Sequence, residues 1–154
     1  MMATVKTQVR FISRVLERRA APSRDAMVHF QSKLVNETDP SDVYYDLQNG
    51  ETGFMILDSR SPEAFAKEHL PEAISMPHRK INEGSTAAWP KDKLIVVYCY
   101  SPACNAAAKA AVKLIELGFT VKEMIGGIEY WKEEGYPLQK EGDPKVSLGA
   151  PVLG

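Results

Sequence analysis

The chain has 154 residues, 44% of them hydrophobic, and its 19 Lys and Arg against 20 Asp and Glu give a formal net charge of −1. This length can bury a core as one domain without disulfides, and two cysteines five positions apart are not the framework of a small secreted protein. The balanced charge argues against nucleic-acid binding, and no apolar run resembles a membrane span or a signal peptide, so we expect a cytoplasmic protein.

The first residues carry the pattern of an amphipathic helix. Apolar residues recur at helical spacing: Val5, Val9, Ile12 and Leu16. Basic residues form a row on another face: Lys6, Arg10, Arg14 and Arg18. The pattern predicts a helix to about Arg19. Membrane contact or organelle targeting is one use of such a helix. Packing on the domain or on a second copy, as in a homodimer, is the favoured one.

The next segment carries helix and strand signals in turn. Ser23 is a candidate N-cap for a second helix to about Ser32, and residues 33–37 are predicted as a first strand. Asp39-Pro40 pairs an N-cap with proline at the first helical position. That helix should end near Asn49-Gly50, where glycine supplies a positive φ.

Short apolar strands then alternate with helices. Strands are predicted over 54–57, 73–76, 94–98 and 120–124. Helices are predicted from Ser61-Pro62 to about Glu68, over 105–117 and over 128–134. Alternation of this kind implies an α/β fold with a largely parallel sheet. The unbroken β-branched run Leu94–Tyr98 is typical of a strand buried on both faces.

Cys99 lies between that buried strand and the helix that follows. The carboxyl edge of a parallel sheet is where open α/β folds place their ligands. A helix N-terminus also favours a thiolate over a thiol. Cys99 is therefore a candidate nucleophile, although a buried cysteine is more commonly a small packed hydrophobe.

Three motifs resemble the rhodanese-like sulfurtransferases, from about Val35 to Leu138. ILDSRSPEAFAKEHLPEAISMP resembles the family's Asp-x-Arg motif with its helix and His-[Ile/Leu]-Pro step, and MIGGIEYWKEEGYPL resembles its closing motif. VVYC places Cys99 where the family has its catalytic cysteine. The resemblance implies a rhodanese-like α/β domain over 33–140, with a five-stranded, mostly parallel sheet and helices on both faces. An N-terminal helical extension (1–32) and a mobile tail (141–154) would flank it.

The chain departs from the family pattern at several positions. Glu68 and Glu72 stand where glycine is usual, so a positive φ there would strain the backbone by about 1 kcal/mol unless the turn is reshaped. The loop CYSPACN lacks the family's Arg, contains Cys104, and its helix begins about two residues late. Because this loop has no cation, we expect thiosulfate to be a poorer donor than a polysulfide or persulfide.

The resemblance also implies a set of site residues. Cys99 is the predicted catalytic residue. Substrate contacts are predicted for the loop and two arginines: Tyr100, Ser101, Pro102, Ala103, Cys104, Asn105, Arg60 and Arg79. We expect Asn105 to be the N-cap of the helix, and Asp58-Ser59-Arg60 to form a mainly architectural polar link. Two thiols and three scattered His give no metal-site spacing, and no organic cofactor is implied.

The predicted activity is sulfur transfer. Cys99 would take sulfane sulfur from thiosulfate or a polysulfide as a persulfide, then pass it to a thiol, cyanide or a protein acceptor. Two alternatives remain: a thiol redox or sensor module using Cys99 and Cys104, and a non-catalytic docking domain. Phosphatase action fits less well, because such enzymes carry an Arg six residues after the cysteine, and this chain has Asn105.

Overall fold

The computed structural model describes residues 10–151. They divide into two compact units between Ser32 and Lys33, a point that lies within helix α1 (Ser23–Asn36). α1 begins at Ser23, near the predicted start. Asp25 in its first turn and Lys33 in its last turn place a charge of favourable sign at each end of the helix dipole.

The predicted N-terminal helix is wrong over its described part. Residues 10–22 contain no helix, only a turn at 14–17 with a hydrogen bond from the Leu16 N–H to Ser13 Oγ (3.1 Å). The apolar residues of that part are 74–88% exposed: Phe11, Ile12, Val15 and Leu16. Most helical stability comes from packing an apolar face, so periodicity without a partner does not suffice. Val5 and Val9 lie outside the described residues, and a homodimer stays a prediction.

The second unit is built on a five-stranded parallel sheet, which confirms the predicted fold class. Its strands are β1 (Glu37–Thr38), β2 (Phe54–Asp58), β3 (Ile74–Ser75), β4 (Leu94–Tyr98) and β5 (Val121–Met124). Their order is β1-β5-β4-β2-β3, and every neighbouring pair is parallel. The expected first strand is wrong over 33–36, which continue α1; Leu34 and Val35 are exposed there, so no sheet buries them.

Within residues 10–151, four α-helices and a short 3-10 helix (His78–Lys80) follow α1, and two predicted caps of the α-helices are confirmed. The four α-helices are α2 (Pro40–Gln48), α3 (Pro62–Lys67), α4 (Ala106–Glu116) and α5 (Gly127–Glu133). Asp39 Oδ1 accepts from the Asp42 N–H (2.9 Å), and Ser61 Oγ accepts from the Ala64 N–H (3.2 Å). Side-chain caps of this kind satisfy N–H groups that have no partner within the helix.

The sheet separates two apolar cores, which confirms helices on both faces. Ile95 and Val97 of β4 pack toward α4, with Ala107, Ala110 and Leu114. Val96 and Tyr98 of β4 point to the opposite face of the sheet. There they pack with Val43 of α2 and with Ile128 and Trp131 of α5. Both faces of β4 are therefore buried, as its unbroken apolar run predicts.

The two Glu residues at family glycine positions behave differently. Glu72 has a φ of 67°, so it takes the left-handed conformation that costs a non-glycine residue about 1 kcal/mol. Its carboxylate pairs with Lys145 Nζ at 2.5 Å. Glu68 has a φ of −166°, which is ordinary extended backbone. Only one of the two positions is therefore strained.

The C-terminal segment lies along α2 although it has no helix or strand. The Tyr44 hydroxyl donates to the Leu148 carbonyl oxygen (2.6 Å), and Gln48 Nε2 donates to the carbonyl oxygens of Leu148 (3.0 Å) and Ala150 (3.1 Å). The mobility predicted for residues 141–154 stays a prediction. Movement of this segment away from α2 would break these hydrogen bonds. No helix within residues 10–151 is long and apolar enough to cross a membrane.

Candidate active site

Cys99 lies at the carboxyl edge of the sheet. β4 is the middle strand of the five, and Cys99 follows its last residue, Tyr98. Cys99 is 3% exposed and packs with the core on the α4 side. The loop from Cys99 to Asn105 leads directly into α4, so the thiol lies between a buried strand and a helix N-terminus, where the sequence places it.

The first turn of α5 holds this loop in place. The Ile128 N–H donates to the Cys99 carbonyl oxygen (3.0 Å), and the Glu129 N–H donates to the Tyr100 carbonyl oxygen (2.9 Å). Gly127, with a φ of 66°, lies so close that a β-carbon there would be 2.5 Å from the Cys99 carbonyl oxygen. Glycine is therefore required for this approach of two backbones.

A tight turn brings Cys104 back to Cys99. The Cys104 N–H donates to the Ser101 carbonyl oxygen (3.1 Å), and the Ala103 N–H donates to Ser101 Oγ (3.2 Å). The Cys99 thiol donates to the Cys104 carbonyl oxygen (Sγ to O, 3.3 Å), and the Cys104 side chain is a second hydrogen-bonding partner of that thiol. Cys99 is buried and Cys104 is half-buried, so only the second presents appreciable surface.

Burial works against the expected thiolate at Cys99. The pKa of the Cys99 thiol is raised to about 11, first of all by burial, which the N–H of Ala107 opposes and the Cys104 thiol reinforces. The N–H groups of Ala107 and Ser101 do favour negative charge on Sγ, as a helix N-terminus should. Burial has the larger effect, because a thiolate at this position loses more solvation free energy than the two N–H groups restore.

Cys104 is the thiol that ionises first. Burial raises its pKa, but the net shift is downward, because the Ala106 N–H and the neighbouring Cys99 thiol favour negative charge on its sulfur. The Tyr100 N–H and the charge of Lys109 act in the same direction. Near neutral pH the loop therefore holds a Cys99 thiol beside a more acidic Cys104.

These sulfur contacts also explain the cap of α4. Asn105 occupies the N-cap position, as predicted, and its carbonyl oxygen accepts from the Lys109 N–H (3.0 Å). Its side chain makes no capping hydrogen bond, which corrects the expected role. The first N–H groups of α4 face sulfur instead, that of Ala106 toward Cys104 and that of Ala107 toward Cys99.

A buried polar network links β2 to β4 at the same edge. Arg60 pairs with the fully buried Asp58 (2.7 Å) and donates to the Glu68 carbonyl oxygen (2.6 Å). The Tyr98 hydroxyl donates to Asp58 Oδ2 (2.6 Å), and Ser59 Oγ donates to the Tyr98 carbonyl oxygen (2.7 Å). Asp58 offsets the charge of Arg60, so a substrate contact by Arg60 stays a prediction.

Sequence reasoning did not include Tyr98 in this network, although a buried tyrosine hydroxyl at a strand end calls for a hydrogen-bonding partner. Burial, the charge of Asp58 and the hydrogen bond to it raise the pKa of Tyr98 well above its ordinary value. Its hydroxyl also accepts from the Leu70 N–H (3.1 Å). The neutral hydroxyl of Tyr98 therefore joins the end of β4 to Asp58 of β2 and to Leu70 in the segment after α3.

Sequence reasoning also missed the cation nearest the loop, Lys109. The pKa of His78 is lowered by burial and then by the charges of Lys113, Lys109 and Arg79. Lys109 thus acts on His78 and on Cys104 alike. The available signal was the pair of basic residues Lys109 and Lys113, four residues apart on α4.

Two surface clefts border the loop. One of about 270 Å³ is lined by Tyr100, Arg60 and Lys132, and one of about 450 Å³ is lined by Pro102 and Tyr130 among others. Tyr100 lines the smaller cleft and is 58% exposed. The predicted contacts between the loop and a substrate stay a prediction. Within residues 10–151, no group of three or more His, Cys, Asp or Glu could hold a metal ion.

Comparison with known proteins gives one family. Residues 39–134 match the model of the rhodanese-like domain. A thiosulfate sulfurtransferase (GlpE) of Pseudomonas syringae pv. syringae is 34% identical over 58% of this chain and 81% of its own length. The mitochondrial protein HIGH ARSENIC CONTENT 1 of Arabidopsis thaliana is 31% identical over 74% of this chain and 73% of its own. The crystal structure of the BH2092 protein from Bacillus halodurans superposes with a TM-score of 0.76 at 44% identity, covering 83% of this chain and 93% of that one.

Proposed function

The chain belongs to the rhodanese-like domain family, and on that premise we propose that it is a sulfurtransferase that carries sulfane sulfur as a persulfide on Cys99. One observation carries the proposal: Cys99 directly follows the central strand, where the N–H groups of Ala107 and Ser101 favour negative charge on its sulfur. N–H groups in that arrangement stabilise a sulfur that becomes negative during the reaction.

The first half-reaction loads the enzyme. Cys99 Sγ attacks the outer sulfur of a donor such as thiosulfate; the new S–S bond forms as the donor's own S–S bond breaks, and sulfite leaves with the electron pair. The proton of Cys99 passes to a solvent base. The negative charge then lies on the outer sulfur of the persulfide, which is farther from the buried core than Sγ.

The second half-reaction returns the enzyme to its starting state. A nucleophile, which can be cyanide, a small thiolate or a protein thiol, attacks the outer sulfur of the persulfide. The S–S bond to Cys99 breaks, Cys99 Sγ leaves with the electron pair, and it recovers its proton. The products are thiocyanate or a new persulfide, and the scheme uses no metal or organic cofactor.

Intact-mass measurement tests the proposal. The purified chain is incubated in turn with thiosulfate, polysulfide and mercaptopyruvate, and we expect a gain of one sulfur atom with at least one donor. Addition of cyanide should remove that sulfur as thiocyanate. Cys99→Ser should lower thiocyanate formation at least about a thousandfold, since the nucleophile is gone. A wild type that gains no sulfur from any donor would refute the function.

Lys109 tests how the site receives an anionic donor. We expect Lys109→Gln to raise the KM for thiosulfate about three- to tenfold, because one attractive charge near the sulfur is lost from a partly screened site. Steady-state kinetics with thiosulfate and cyanide, at two salt concentrations, would measure it. This modifies the expectation that thiosulfate is a poor donor, which counted Arg60 and Arg79 as cations outside the loop but not Lys109.

Lys140→Gln is the matched control for charge. Lys140 is exposed and lies beyond the last helix, so the same loss of charge should leave the KM within about twofold. Added salt should shrink the Lys109 effect, since screening weakens an attraction that crosses solvent. Equal changes in the two variants would contradict a local role for Lys109.

A further inference from the structure

We propose that Cys104 is a sulfur relay: it takes the sulfane sulfur from Cys99 and presents it to thiol acceptors too large to reach Cys99. The inference rests on the proposed persulfide chemistry and adds a second sulfur-carrying residue to it. It starts from the difference in access between two neighbouring thiols. Cys99 is 3% exposed at the floor of the loop, whereas Cys104 is half-buried beside it.

The geometry brings the two sulfur atoms to one place. The turn closed by the Cys104 N–H on the Ser101 carbonyl oxygen (3.1 Å) folds Cys104 over Cys99. Cys99 Sγ lies 3.3 Å from the Cys104 carbonyl oxygen, and each thiol is a hydrogen-bonding partner of the other. A sulfur atom bound to Cys99 would therefore extend toward the mouth of the loop that Cys104 borders.

Access separates the acceptors into two classes. Thiosulfate and cyanide are small enough to enter over the exposed tip formed by Pro102 and Ala103. A tripeptide thiol, or a cysteine on a protein surface, is attached to a backbone that is too bulky to pass this tip. Its sulfur therefore does not reach Cys99, which is only 3% exposed. Such acceptors need a carrier nearer the surface, and Cys104 is the second thiol of the loop.

The transfer step balances without an added oxidant or reductant. Cys104 sulfur attacks the outer sulfur of the Cys99 persulfide, and a new S–S bond forms as the bond to Cys99 Sγ breaks. Cys99 Sγ leaves with the electron pair and takes the proton that Cys104 gives up. Before the step the negative persulfide is on Cys99, and after it the negative persulfide is on Cys104.

Burial makes that direction favourable. Cys99 is 3% exposed and Cys104 is half-buried, so a negative sulfur is better solvated when it is bound to Cys104 than when it is bound to Cys99. Ala106 and Tyr100 direct their N–H groups at the Cys104 sulfur, so a charged sulfur is stabilised there as well. The relay thus moves the charged sulfur from the core side toward solvent.

The test compares two acceptors in the full-length chain. Wild type and Cys104→Ser are loaded with thiosulfate, freed of donor, and mixed with cyanide or with reduced glutathione. We expect the ratio of the glutathione rate to the cyanide rate to fall at least about tenfold in Cys104→Ser, because only the large acceptor needs the relay. Ala108→Ser, a small change at an exposed position of α4 outside the loop, should keep the ratio within about twofold.

Locating the sulfur gives a second, independent readout. Loaded wild type is alkylated and digested, and fragment ions between residues 99 and 104 assign the extra sulfur; we expect part of it on Cys104. Sulfur on Cys99 alone, or an unchanged acceptor ratio, would overturn the relay while the sulfurtransferase function stands. A Cys99–Cys104 disulfide with free sulfide would also overturn it, since Cys104 would then attack the inner sulfur. Failure of the wild type to load would refute the function itself.

Discussion

The Gly127→Ala variant is expected to lose about 2–4 kcal/mol of unfolding free energy and most of its sulfur-transfer activity. The added β-carbon would lie 2.5 Å from the Cys99 carbonyl oxygen and 2.7 Å from the carbonyl carbon of Tyr100. Both are backbone atoms, so neither can rotate away as a side chain could. A φ of 66° adds strain of its own.

The expected activity loss follows from what Gly127 holds in place. The two hydrogen bonds from α5 to the Cys99 and Tyr100 carbonyl oxygens fix the start of the loop at 3.0 and 2.9 Å. Relief of the clash must lengthen at least one of them and shift Cys99 relative to the N–H of Ala107. Small misplacements of reacting groups cost large factors in rate.

Gly135→Ala is the matched control for the clash. Gly135 also has a positive φ, 78°, but no atom lies within 4 Å of the β-carbon it would gain. Its alanine variant should therefore lose only about 1 kcal/mol, the cost of the backbone conformation, and keep its activity. Urea denaturation and thiocyanate formation measure both effects. Equal destabilisation of the two variants would show that the contact with the loop does not matter.

The second large effect is expected for Asp58→Asn, which should lower the unfolding free energy by about 3–5 kcal/mol. The Asp58 side chain is fully buried and that of Arg60 is only 10% exposed, so the change leaves a guanidinium with no carboxylate in a site poor in water. The Tyr98 hydroxyl loses a charged acceptor at the same time. Leaving one buried charge without its partner costs more free energy than the intact ion pair contributes to stability.

Lys145→Met provides the comparison at the surface. The Lys145–Glu72 pair is as short as the Asp58–Arg60 pair, 2.5 Å against 2.7 Å, but its side chains are 76% and 46% exposed. Solvent already stabilises both of those charges, so the loss should stay below about 1 kcal/mol. Thermal or urea unfolding of the two variants would measure the difference. A small effect of Asp58→Asn would mean that water reaches Arg60 in solution.

Local sequence determined most of the secondary structure of the second unit. Asp39-Pro40 and Ser61-Pro62 start helices because their side-chain oxygens and proline rings act within the first turn of the helix. Leu94–Tyr98 is a buried strand because an unbroken β-branched run suits both faces of a covered sheet. The place of Cys99 follows from these two facts, since the residue after a parallel strand lies at the ligand-binding edge.

Tertiary structure decided whatever depends on neighbours distant in sequence. The pattern before Arg19 lacks a packing surface in the described part and forms no helix there, and residues 33–36 extend α1 because strand pairing begins only at Glu37. The charge states of Cys99 and Cys104 depend on burial and on the N–H groups around each sulfur, which no local pattern contains. Sequence alone therefore placed Cys99 at the carboxyl edge of the sheet, and folding decided how far each of the two thiols is buried.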